Sequence, residues 1–166
     1  MSRATDTRTV RACLIPSKVV AVHNAPVLHW ALGDESDQAY LIGLLSSRPL
    51  DWFARRFVET HLQFFILNAL PIPRRPRSDK DWRRVVGLAG RLASPDDRFA
   101  DWAKKVGVGY GPLMAEEKQD MIDELDAVVA KLYGLSETQL IHLFETFHEG
   151  WDHEPRLRAV LNYFRA

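Results

Sequence analysis

Met121-Ile122-Asp123-Glu124-Leu125-Asp126-Ala127-Val128-Val129-Ala130-Lys131-Leu132-Tyr133-Gly134 is the stretch on which the fold reading turns. Met121, Ile122, Leu125, Val128, Val129, Leu132 and Tyr133 recur at three-and-four spacing, which places them on one face of an amphipathic helix. Gly134 ends that helix, because glycine adopts the left-handed conformation of a helix terminus without a Cβ clash. Two residues later Ser136 with Gln139 has the spacing of a capping box and opens a further helix. Leu140, Ile141, Phe144 and Phe147 face inward there. Pro155 then suits the first turn of a last helix, with Leu157, Val160, Leu161 and Phe164 as its stripe.

Working back toward the N-terminus, Gly107, Gly109, Gly111 and Pro112 read as a loop, and Phe99, Trp102 and Ala103 as a short helix. Trp82, Val85, Val86, Ala89 and Leu92 form another helical stripe. Pro73-Arg74-Arg75-Pro76-Arg77-Ser78 is rich in Pro and Arg, lacks an apolar anchor, and reads as a linker over residues 74–78. Before it, Pro71 and Pro73 impose an extended end on the apolar run beginning at Thr60. A helix starts at Pro49 and runs to about Val58. Another covers Ala39–Leu45, with an N-cap among residues 34–37.

The N-terminal region has a different texture. Val10–Leu14 and Val19–Val22 are short β-branched runs flanking the turn Pro16-Ser17-Lys18, and Val27–Leu32 extends the pattern. The expected class is therefore α+β, with a small β region near the N-terminus followed by a predominantly helical C-terminal half. No apolar run approaches the ~20 residues of a membrane span. The N-terminus lacks the apolar stretch of a signal peptide. Cys13 is the single cysteine, so no internal disulfide forms and a reducing cytoplasm is the expected location.

Several patterns resemble catalytic signatures in letters only. Pro95-Asp96 followed by Glu116-Glu117-Lys118 spells a metal-dependent nuclease motif. That chemistry needs two acids on one divalent ion, usually from adjacent strands, and these segments read as loop and helix. Asp120 and Asp123 read as a continuation of the same solvated acidic face. His142, His148 and His153 lie near Glu145, Glu149 and Asp152, but a six-residue spacing puts His142 and His148 on different helix faces, unlike a zinc pair. The 107–111 glycines follow no strand, as a phosphate loop should. No Gly-x-Ser-x-Gly elbow occurs, nor does a glycine-rich S-adenosylmethionine loop or an Asp/Asn-Pro-Pro-Tyr/Phe base-flipping segment. The expectation is a chain that is no enzyme by itself.

The zero net charge conceals an asymmetry: residues 1–92 carry 14 Lys/Arg against 8 Asp/Glu, and residues 93–166 carry 8 against 14. A basic half can attract phosphate while an acidic half stays away from it. The basic residues cluster as Arg3, Arg8 and Arg11, then Arg48, Arg55 and Arg56, then Arg74, Arg75 and Arg77 followed by Lys80, Arg83 and Arg84. Solubilising charges and local Arg–Asp pairs are the plain alternative.

Three segments together resemble a known family. Arg8-Thr9 with Ala12-Cys13-Leu14-Ile15-Pro16 forms the first. Leu41–Leu45, Leu50-Asp51-Trp52 and Thr60-His61-Leu62-Gln63-Phe64-Phe65-Ile66-Leu67 through Leu70-Pro71-Ile72-Pro73 form the second. Leu125–Ser136 forms the third. In this order and spacing they are similar to the C-terminal target-recognition region of restriction-modification (type IIG-like or phage-defence) DNA adenine methyltransferases, and to type I specificity subunits.

The resemblance covers residues 3–73 and 119–164. It implies a partial DNA target-recognition domain over 1–73 and a helical C-terminal region over 79–166. It further implies a sequence-specificity role on double-stranded DNA. The methylase portion or subunit would be a partner, and S-adenosylmethionine would sit only on that absent portion; no cofactor or metal is expected in this chain. Arg3, Arg8, Arg11, Arg48, Thr60, His61, Arg74, Arg75 and Arg77 are the expected DNA-binding residues. The competing expectation is a helical scaffold that docks other subunits without touching DNA.

Overall fold

The structure is a computed structural model that describes residues 7–21, 26–29, 32–59 and 62–166. Its regular elements among the described residues are helical. Asp34 caps α1 (Glu35–Ser46) with a capping box: its carboxylate accepts from Ser36 and Asp37 N–H, and the Asp37 carboxylate accepts from Asp34 N–H. Ser47 caps α2 (Arg48–Ala54), whose Pro49 lies in the first turn, where the missing N–H costs nothing. The short α3 (Phe64–Asn68) leads into an extended stretch through the prolines. Asp79 caps α4 (Lys80–Leu92), and a 3-10 turn (Asp97–Phe99) runs into α5 (Ala100–Val106). The 18-residue α6 (Ala115–Leu132) follows, and Gly134 just beyond it adopts φ +68°. Ser136 and Gln139 form the expected capping box at the head of α7 (Glu137–Glu145). Pro155 lies in the first turn of α8 (Glu154–Arg165).

The expected N-terminal β region is absent: no strand occurs among the described residues. The physical reason is visible in the burial of residues 11–17. Exposure alternates strictly, with Ala12, Leu14 and Pro16 turned partly inward and Arg11, Cys13, Ile15 and Ser17 outward. That is the period-two habit of an extended chain. A strand, however, is defined by a ladder to a neighbour. This segment lies against the flanks of helices, whose interior N–H groups are already bonded within the helix. Val19 and Val20 are likewise exposed rather than paired, Val20 at 91%. Val22 and part of Val27–Leu32 lie outside the described residues. The turn at 17–18 is present, with Lys18 in the left-handed region at φ 66°.

Three apolar clusters hold the helices together. The central one joins α1, α4 and α6 through Ala39, Leu44, Trp82, Val85, Leu88, Leu125 and Val129, so residues on both sides of the 74–78 segment share one core. Gly43 permits a close approach between α1 and α4: a Cβ there would sit 2.6 Å from Val85 Cγ1. The second cluster packs α6, α7 and α8 around Ala127, Ala130, Leu140, Phe144 and Val160. The third joins Val10 to Leu45, Leu50, Ala54 and Leu70. Among the described residues no helix is long and apolar enough to cross a membrane.

Candidate nucleic-acid interface

Of the nine expected DNA-contacting residues, the six that are described do not form one surface. Arg3, Thr60 and His61 lie outside the described residues. Arg8 and Arg48 point into the protein. The Arg8 Nε lies 2.7 Å from Asp51 Oδ2, and its guanidinium also donates to the Ser46 carbonyl. Arg48 pairs with Asp126 through its guanidinium, and its backbone N–H donates to the same carboxylate at 2.7 Å. The guanidinium of Arg48 also lies 5.6 Å from the Phe144 ring and 5.1 Å from Trp151. Such a desolvated, fully partnered cation cannot turn outward to a phosphate without leaving a buried carboxylate unpaired, a cost of several kcal/mol.

The linker arginines divide as well. Arg75 donates to the Leu132 carbonyl at 3.1 Å, which ties the linker to the end of α6. Arg77 is exposed, but its two terminal nitrogens lie 2.6 Å from Asp34 and from Asp37. Its positive field is therefore cancelled at the surface by two carboxylates. Arg74 is exposed and makes no hydrogen bond or ion pair with the described residues. Lys80, at the start of α4, is in the same condition, and the exposed Arg83 donates once, to the Ser78 carbonyl at 2.6 Å. Arg11 is exposed on the outward side of the N-terminal segment.

A pair of tyrosines positions the segment that carries Arg74. Tyr40 Oη donates to the Pro73 carbonyl at 2.9 Å, and Tyr133 Oη donates to the Pro71 carbonyl at 2.7 Å. Burial pushes the Tyr40 hydroxyl up to about 12 and the Tyr133 hydroxyl higher still, so both remain donors. Prolines 71, 73 and 76 restrict the backbone between them. Arg74 is thus carried on a stiff segment fastened to α1 and to the end of α6.

Sequence reasoning missed the buried acids that capture the arginines. Asp51, Asp123 and Asp126 are all at most 2% exposed. Asp123, expected on a solvated face, instead accepts from Arg156 at 2.9 Å and from Gln119 at 3.0 Å. Burial pushes the Asp123 carboxyl up, and Arg156 pulls it back. Burial likewise raises Asp51, against the pull of Arg8, Arg55 and two backbone N–H groups. One signal was available for Asp126, which falls at helical spacing between Ile122 and Val129 at the edge of the apolar stripe, where an acid needs a partner; Asp123 lies on the side of Ala127 and Ala130, away from the stripe.

The catalytic look-alikes take structural roles. Asp96 caps the 3-10 turn and pairs with Arg98 at 2.8 Å, while Glu116 and Glu117 occupy the exposed first turn of α6. The glycine loop turns the Gly111 carbonyl toward Arg91 at 2.8 Å. Among the described residues no group of three or more His, Cys, Asp and Glu is placed to hold a metal ion. Set against family models, curated proteins and solved structures, the chain matches none.

Proposed function

We propose that this chain is the DNA sequence-recognition portion of a restriction-modification adenine methyltransferase. On this reading it performs no chemistry by itself and works with a methylase portion or subunit that carries S-adenosylmethionine. The observation that carries the reading is a set of exposed cations without an ion pair to a described residue: Arg74 on a proline-stiffened segment, and Lys80 and Arg83 on α4 just after it. Arg on a rigid support suits phosphate clamping or bidentate reading of guanine. The resembling segments support it further. Leu125–Ser136 packs against residues 39–51, and Tyr133 bonds Pro71, so the pieces that resemble the family adjoin one another. DNA contact on this reading moves away from Arg8 and Arg48 and toward Arg74.

The test is duplex-DNA binding by fluorescence anisotropy across a salt series, comparing the full chain with an Arg74→Ala/Lys80→Ala/Arg83→Ala variant. Recognition predicts a steep salt dependence in the parent. In the variant the slope of log K against log salt should fall by roughly 0.9 for each phosphate that is no longer neutralised. No binding by the parent at low salt, even with a methylase partner restored, would defeat the proposal.

A second reading, a scaffold that docks other subunits without touching DNA, is favoured by a different observation. Phe57, Phe64 and Phe65 are 57–73% exposed around α3, and large exposed aromatics mark protein contacts. That reading predicts unchanged DNA behaviour in the triple variant and weakened subunit assembly in Phe64→Ser/Phe65→Ser.

A further inference from the structure

Thr9 and Val10 are almost fully buried, and both backbone N–H groups point at one carboxylate. Thr9 N–H donates to Asp51 at 3.1 and 3.2 Å, and Val10 N–H donates at 3.1 Å. Arg8 adds an ion pair at 2.7 Å from the same side. Asp51 itself is fully buried in α2 and has no contact with water. Three consecutive residues are therefore gathered on a single side chain of the helical body.

Past this point the attachment thins abruptly. From residue 12 to 21 the chain makes no backbone hydrogen bond to a helix among the described residues. Its inward side chains are Ala12, Leu14 and Pro16, and all three are only partly buried. Beneath them lies a cavity of about 880 Å³ rather than a close-packed interface. Leu41, Ile42 and Leu45 of α1 form part of its floor, with Trp102 of α5 and the N-terminal segment as walls. Interior packing is normally dense, so a segment that borders an open groove of this size gains little from lying down. The two clusters joining α1, α4, α6, α7 and α8 contain no residue before Ala39 among their buried members, and the strap enters the core only at its latched end, where Val10 packs with Leu45, Leu50, Ala54 and Leu70.

We propose that residues 9–17 are a strap over the α1 groove, latched to the body by Asp51 and able to lift as one piece while the helices stay folded. Asp51 is a positioning residue in this device. It gathers the N–H groups of Thr9 and Val10 and the Arg8 guanidinium, and it lies near Arg55. Lifting the strap uncovers the apolar residues Leu41, Ile42 and Leu45. The inference is independent of any DNA role for Arg8 or Arg74.

The experiment uses the full chain with a nitroxide on Cys13, the only cysteine and one that faces outward on the strap. Spin-label mobility is read by electron paramagnetic resonance, and amide exchange is read residue by residue, in the parent and in Asp51→Asn. The expected result is a narrower, faster-moving spectrum. Exchange at Thr9 and Val10 should quicken by about tenfold or more, with α4 and α6 amides unchanged. Unchanged label motion overturns the proposal. So does parallel loss of protection in α4 and α6, which would make Asp51 an ordinary core residue. If Asp51→Asn does not fold, Arg8→Gln weakens the latch from its partly exposed side, and the same two readings decide.

Discussion

The helical body and the N-terminal segment contain the same kinds of apolar residue, yet they hold them by different means. In α4 and α6 the interior backbone groups are satisfied within their own helix, so Val85, Leu88 and Val129 can be driven to almost no exposure by packing alone. Residues 11–17 are extended, and an extended chain satisfies its backbone only through a neighbour. Ala12 and Leu14 turn inward as a strand would, but the segment remains single and half-buried over a cavity. Apolar content alone therefore does not make a core; it does so where the backbone needs nothing further.

The sharpest way to break the body is through its buried charge. Asp126→Ala leaves the Arg48 guanidinium without its partner between α2, α6 and the aromatic rings of Phe144 and Trp151. The expected loss is about 3–5 kcal/mol by urea denaturation. A loss below about 1 kcal/mol would mean that the pair is solvated rather than buried.

A matched pair of truncations tests the contrast directly. Leu88→Ala, in the central cluster, is expected to cost about 2–5 kcal/mol. Leu14→Ala, on the strap, is expected to cost less than about 1 kcal/mol, because its side chain already borders empty space. Equal costs would erase the distinction between body and strap.

The smallest effect concerns the surface. Arg77 beside Asp34, Arg165 beside Glu137 and Lys105 beside Glu35 each hold the acid below its ordinary value. For such groups the stabilisation is present above the unfolded carboxylate range and is lost as pH falls through the lowered folded value. Melting temperature should therefore drop modestly on acidification below about pH 4, and less steeply in Arg77→Ala. Added salt should shrink the difference. A difference that persists at about 1 M salt would contradict the exposed placement of these pairs.

Much of the helical architecture was legible because its signals are local. Ser136 with Gln139, the acids around Asp34, Pro49, Pro155 and Gly134 act within one turn of their own positions, and each does so in the structure. The N-terminal β region was not legible. Val10–Leu14 has the period and composition of a strand, but pairing depends on a partner that composition does not name. The candidate site was legible only in part. Arg8, Arg48, Arg75 and Arg77 read as available cations because their captors, Asp51, Asp126, the Leu132 carbonyl, Asp34 and Asp37, lie about 40 to 80 residues away.

The sequence by itself determined where helices start and stop, which faces are apolar, and that the first 92 residues carry the excess of basic charge. Those properties follow from backbone sterics, capping and periodicity, which operate over a few residues. Only the tertiary structure decided which arginines face outward and whether an extended segment finds a ladder. It also decided which acids are withdrawn from water. A charge exerts its influence through whatever the fold brings within a few ångströms of it, and that neighbour is set by packing between distant parts of the chain.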